Sequence, residues 1–201
     1  VIELLLPRHC AGCGAPGEHL CAECKHELAR PPERVVTRES PHVPVFSLGP
    51  YAGAHRQVIL SMKERKNIAI RRMLGAVLRA GLEHLEARGE LPTPTVLVPA
   101  PTRAFSARQR GGDPVTAVCR ATGRTVVPVV SLAEGVRDQT ELDAAGRRRN
   151  LSGGIILSGV PRGTIVVVDD VVTTGATLQA TVENLVARGA TVAGAVTIAA
   201  A

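Results

Sequence analysis

The stretch IVVVDDVVTTGAT, residues 165–177, decides the fold. Residues 165–168 are four consecutive β-branched side chains, which read as a central strand buried on both faces. In an open α/β sheet, ligands sit outside the carboxyl ends of the strands, and Asp169 and Asp170 are expected at such an end. Adjacent carboxylates repel unless a cation, a ligand hydroxyl or a bonded partner compensates. Magnesium and sugar hydroxyls both qualify. Thr173, Thr174, Gly175, Ala176 and Thr177 then allow backbone N–H groups to wrap an anion as a helix begins near Thr174. Gly175 permits close approach there, and a phosphate would satisfy N–H groups that the helix cannot pair for itself. An acidic strand end followed by an ordinary threonine cap would also account for a lone D-D-x-x-T-T pattern. The pattern is neither a Walker loop nor a dinucleotide fingerprint.

Working outward, strands and helices alternate over 95–198, as in an α/β domain with a mainly parallel sheet. TVLVPAP (95–101) reads as a short strand entering a proline-bounded loop. Residues 114–121 read as a helix ended by Gly123. TVVPVVSL (125–132) reads as a strand whose Pro128 demands an edge or an irregular end. The helix after Thr174 buries Leu178, Val182, Leu185 and Val186 and stops at Gly189; a last strand covers 190–198. Upstream, residues 52–67 suggest a short helix. Ile68, Ala69, Leu74, Val77, Leu78, Leu82 and Leu85 give a longer one with a single apolar face. Residues 29–44, with four prolines, read as an irregular linker or edge segment.

Composition narrows the function classes. The chain has 201 residues, 45% apolar and 21% charged, so global disorder is excluded. One Tyr, two Phe and no Trp leave no aromatic platform on which single-stranded nucleic acid could stack. A formal charge of +6 suits an anionic ligand, either nucleic acid or a phosphorylated metabolite. No apolar run reaches the length of a membrane span, and VIELLLPRHC lacks the charged front end of a secretion signal. A cytoplasmic location without membrane insertion is therefore expected.

Four of the five cysteines fall at 10, 13, 21 and 24, as Cys10-x2-Cys13 and Cys21-x2-Cys24. Four thiolates around one ion match the tetrahedral preference of structural zinc, and they leave no open position for a catalytic water. Two reducible dithiols are the alternative. The metal's binding energy would fold about thirty residues that otherwise lack a core. Cys119 stands alone and is expected to face the core.

With these residues in view, 165–177 resembles the ribose-5-phosphate binding motif of the type I phosphoribosyltransferases. The whole chain resembles the ComF (competence protein F) group, which joins a four-cysteine knuckle to a phosphoribosyltransferase domain. The similarity includes the knuckle, Tyr51-Ala-Gly with Met62-Lys63, and Val98-Pro99-Ala100-Pro101. It continues through Arg108-Gln109-Arg110-Gly111 and through Arg137-Asp138-Gln139-Thr140, followed by Arg147, Arg149 and Asn150. It implies a type I phosphoribosyltransferase-like fold, an open mainly parallel α/β sheet with flanking helices. The boundaries would be a zinc knuckle at 1–30, a linker or edge segment at 31–50 and a phosphoribosyltransferase-like domain at 51–201. Where the group continues Arg-Gly-Phe-Asn-Gln, this chain has Arg110-Gly111-Gly112-Asp113-Pro114, which puts the acceptor pocket in question.

The resemblance further implies phosphoribosyl pyrophosphate as substrate, with magnesium. Asp169 and Asp170 would meet the ribose hydroxyls and 173–177 would hold the 5-phosphate. Asp170 could alternatively serve as a modest base toward the acceptor. Arg137 and Arg147, in a polar loop over 133–152, would neutralise the departing pyrophosphate, while Arg148 reads equally as surface. Lys63 is a candidate pyrophosphate or acceptor contact. Pro99 and Ala100 would shape the pyrophosphate loop, with backbone amides as the working groups. Two functions stay open: phosphoribosyl transfer to a nitrogenous acceptor, or ligand sensing by a non-enzymatic protein of competence. The second would make DNA-uptake machinery or single-stranded DNA the partner.

Overall fold

The computed structural model describes residues 9–64, 67–101, 113–133 and 154–201. Its centre is strand β6 (Thr164–Val172), flanked by β3 (Thr95–Pro99) on one side and β7 (Thr191–Ala200) on the other, both parallel to it. Beyond β7 lies β2 (Val45–Ser47), also parallel, and then β1 (Glu33–Val35), antiparallel at the edge. The order is β1-β2-β7-β6-β3, so the sheet is mostly parallel, as expected. Residues 45–47 are fully buried within it, while the edge character belongs to β1.

Through the centre of the sheet, period-two alternation divides the strand residues between two apolar layers. Leu97, Val166, Val168, Val196 and Ile198 pack against α2 (Gly53–Glu64), α3 (Ile68–Ala87) and α4 (Pro114–Ala121). Val98, Ile165, Val167 and Ala195 pack on the opposite layer, with Leu178, Val182 and Leu185 of α5 (Ala176–Ala187). A two-stranded antiparallel ribbon, β4 (Val130–Leu132) with β5 (Ile155–Leu157), borders that second layer. None of the described helices is long and apolar enough to cross a membrane.

Helix α3 buries Leu74, Leu78, Leu82 and Leu85 at helical spacing, and Asn67 caps it by accepting the Ile70 N–H. Ile68, expected inward, is 69% exposed, and Ile70 takes the buried position. The strand expected over 125–132 is divided. Val126 bridges to Leu97 beside β3, and regular pairing resumes only at Val130. Pro128, lacking an N–H, lies between the two paired pieces.

The knuckle is not an independent core. Helix α1 (Ala22–Leu28), with Cys10, Leu20, Cys24 and Leu28, shares one apolar cluster with Ala54 and Val58 of α2. Glu27 of α1 also accepts the Ala54 N–H at 3.0 Å, satisfying a donor in the first turn of α2 that the helix cannot pair itself.

Candidate functional site

Strand β6 outruns its neighbour. Pairing with β3 ends at Val168 opposite Pro99, whereas pairing with β7 continues through Val172 opposite Ala200. Asp169 and Asp170 therefore do not follow the strand; they lie inside it, and only their β3 side is open. This corrects the expected strand end at 168. Val171 and Val172 complete the strand because β7 supplies ladder partners there.

Alternation separates the two acids. Asp170 falls on the face of Val166 and Val168, beneath α2 to α4, and is buried. Its Oδ2 lies 2.6 Å from Lys63 Nζ, in the last turn of α2. Asp169 is half-buried and accepts the Asp170 N–H at 2.8 Å. Burial, then the negative charge of Asp170, holds the Asp169 carboxyl above the usual carboxylate range, against the Asp170 N–H bond and the charge of Lys63. Asp113 adds to that repulsion. It caps α4 by accepting the N–H groups of Val115 and Thr116.

After Val172 the chain turns through Thr173 and Thr174 into Gly175, the N-cap of α5. Gly175 has φ 90° and ψ −4°, a left-handed conformation that favours glycine. It offers the helix no side-chain cap; only the Thr174 hydroxyl, 3.3 Å from the Ala176 nitrogen, reaches back. The helix begins two residues later than expected. Asp169 and residues 171–178 line a cavity of about 30 Å³ at this turn. That holds one water-sized group, so a phosphate would insert an oxygen and rest at the mouth. The turn and Asp169 are thus brought together, with Asp170 and Lys63 on the other face of the strand.

Pro99 and Ala100 lie beside the acids but do not offer amides. Prolines 99 and 101 have no N–H, and Ala100 donates its own to Val168 O at 2.7 Å. The expected amide role therefore does not fall to Pro99, Ala100 or Pro101 themselves, and residues 102–112, which follow them, lie outside the described residues. Arg137 and Arg147, with the rest of 134–153 and with Arg108 to Gly111, lie outside the described residues. Sequence reasoning missed residues 37–39, which lie against the turn: the Glu39 N–H donates to Thr174 O at 2.8 Å. No local signal links positions so far apart. Asp113-Pro114 did carry a signal, an N-cap acid before a first-turn proline.

At the knuckle, the sulfurs of Cys10, Cys13, Cys21 and Cys24 lie within 4.8 Å of one another, a set that can hold one tetrahedral ion. A Cβ on Gly12 would come within 2.5 Å of Cys24 Sγ, so the space around that sulfur is closed. Burial pushes the Cys10 thiol up, but the N–H groups of Cys21, Cys13 and Gly12 outweigh it and bring it down to about 6. The Cys13 and Cys24 thiols are pushed up, that of Cys24 chiefly by burial, so a bound ion would itself draw the set to the thiolates it requires. Cys119 is fully buried, and burial, then the charge of Asp113, pushes its thiol up, so it is packing and not a nucleophile.

No curated protein matches the chain. Among solved structures it is similar to an adenine phosphoribosyltransferase from Rhodothermus marinus DSM 4252. That likeness is 18% in identity over 88% of this chain and 86% of that one, with a TM-score of 0.38. A family model described as the phosphoribosyl transferase domain matches residues 121–201, the span that carries Asp169, Asp170 and the turn at 173–177.

Proposed function

We propose that the protein binds phosphoribosyl pyrophosphate with magnesium and transfers the phosphoribosyl group to a nitrogenous acceptor, releasing pyrophosphate. The observation that carries this reading is the cavity shared by Asp169 and the uncapped start of α5. Sugar hydroxyls would donate to Asp169, and the N–H groups of the turn would donate to the 5-phosphate. The match of a phosphoribosyl transferase domain model to this span supports the same chemistry.

Asp169 faces the cavity, so its carboxylate is the group that would meet a magnesium ion carried in with the donor, while Asp170 is paired with Lys63 on the other face. Magnesium would neutralise charge as the bond to pyrophosphate stretches. The chain's own contribution is orientation and charge. Asp169 fixes the sugar, the turn fixes its phosphate, and Lys63 stands as a cation beside the acids. Arg137 and Arg147 belong to this proposal as leaving-group contacts. Zinc at the four cysteines is structural in this reading. The knuckle joined to a transferase-like half supports placement in the ComF group.

Calorimetry with the donor and magnesium tests the site. Asp169→Asn combined with Asp170→Asn should abolish binding while the protein stays folded; unchanged affinity would reject the assignment. Incubation with the donor and a panel of nucleobases and amines tests turnover. Pyrophosphate release that requires an acceptor establishes the transferase. Binding without release would favour a ligand-sensing role in competence instead.

A further inference from the structure

We propose that residues 37–39 form a positioning strap that sets the orientation of the Thr174–Gly175 peptide for anion binding. The inference rests on the phosphate reading of the turn given above. The Glu39 N–H donates to Thr174 O at 2.8 Å. A trans peptide points its C=O and N–H in opposite directions, and among the described residues the only cis bond is Thr93–Pro94. Holding Thr174 O toward the strap therefore turns the Gly175 N–H away from it. The cavity at the turn is lined by Asp169 and residues 171–178 and by none of 37–39, so it lies off the strap.

The lock matters because a glycine turn is easily flipped. Gly175 tolerates either sign of φ, and a flipped peptide would aim the Thr174 carbonyl dipole at an incoming phosphate. Such a flip would break the Glu39 N–H bond to Thr174 O, and the strap lies close against the glycine. A Cβ on Gly175 would lie 2.5 Å from Glu39 O and 2.7 Å from Thr37 Cβ. The strap is itself braced: the Thr37 hydroxyl donates to Glu39 O at 2.7 Å, and Pro41 is buried. His42, at φ 61°, donates its N–H to Ser40 Oγ at 3.3 Å and places Nε2 3.9 Å from Glu183 of α5. Segment 37–42 thus meets both the turn and the helix that follows it.

The test follows the Gly175 amide by NMR during titration of the full chain with ribose 5-phosphate. In the wild type that resonance should move downfield as the ligand binds. Glu39→Pro deletes the N–H. It should weaken binding about 10- to 100-fold, as expected when one hydrogen bond to a charged group is lost, and should abolish the Gly175 shift. Binding by Glu39→Pro within about twofold of the wild type overturns the strap and leaves the phosphate reading standing. Wild-type binding in which other turn amides move while Gly175 does not overturns it as well. Absence of any wild-type binding removes both the phosphate reading and the strap. Should Glu39→Pro fail to fold, Thr37→Val decides. It keeps the shape but loses the brace to Glu39 O, and an affinity loss of about threefold is expected. Unchanged affinity in that variant overturns the proposal.

Discussion

Lys63 Nζ and Asp170 Oδ2 meet at 2.6 Å, joining the last turn of α2 to the carboxyl-terminal part of β6. Asp170 is buried, and that ammonium is its close charge partner. Lys63→Met should cost about 2 kcal/mol of stability, because it strands a carboxylate beside a second one. Adding Asp170→Asn to that variant should recover much of the loss, since the uncompensated charge goes with it. A double-mutant cycle from urea denaturation measures both; additive effects would show that the pair contributes no coupling.

Gly175→Ala tests the backbone of the turn. Its φ of 90° costs an L-residue about 1–2 kcal/mol, and the new methyl meets Glu39 O as well. A destabilisation of about 2 kcal/mol or more is expected, measured as a shift in the urea midpoint at constant slope.

Gly12→Ala tests the metal site without replacing a ligand. The added methyl would fall within 2.5 Å of Cys24 Sγ and 3.3 Å of Ala54 Cβ. Competition against a chromophoric chelator should show zinc affinity lowered about tenfold or more, since ligand geometry sets that energy. Chelation of the wild type should lower the melting temperature of the whole domain. Cys10, Leu20, Cys24 and Leu28 share their core with α2, so the knuckle cannot loosen by itself.

His55 predicts the pH dependence of stability. It is 1% exposed, with Nε2 3.1 Å from Leu48 O and no hydrogen-bond partner for Nδ1. Burial holds its pKa below the ordinary value; Glu27 and the Leu48 carbonyl oppose that, and Arg30 reinforces it. The unfolded chain therefore binds a proton that the folded chain resists. Stability should be full above about pH 6.5 and fall below it, by at most about 1.4 kcal/mol per pH unit. His55→Gln should flatten that slope in denaturation series between pH 5 and 8.

What the sequence disclosed is what is local. Residues 165–168, the turn after them and the paired cysteines each announce their geometry within a dozen positions. Helix α4 is equally legible from Asp113-Pro114 and Gly123. The length of β6 was not, because two acids in a strand contradict propensity and only the ladder to β7 carries the strand past them. The same limit hid the Lys63 pairing and the strap at 37–39. Both are contacts across more than a hundred residues, and no periodicity in either partner encodes them.

Asp169 and Asp170 owe their different neighbours to parity. One residue inserted between 165 and 169 would move Asp169 into the place beside Lys63 and push Asp170 one position beyond it. Lys63 would then neutralise the wrong acid. A two-residue change would restore the faces but carry both acids about 7 Å along the strand, so the stretch is constrained by its count as much as by its chemistry.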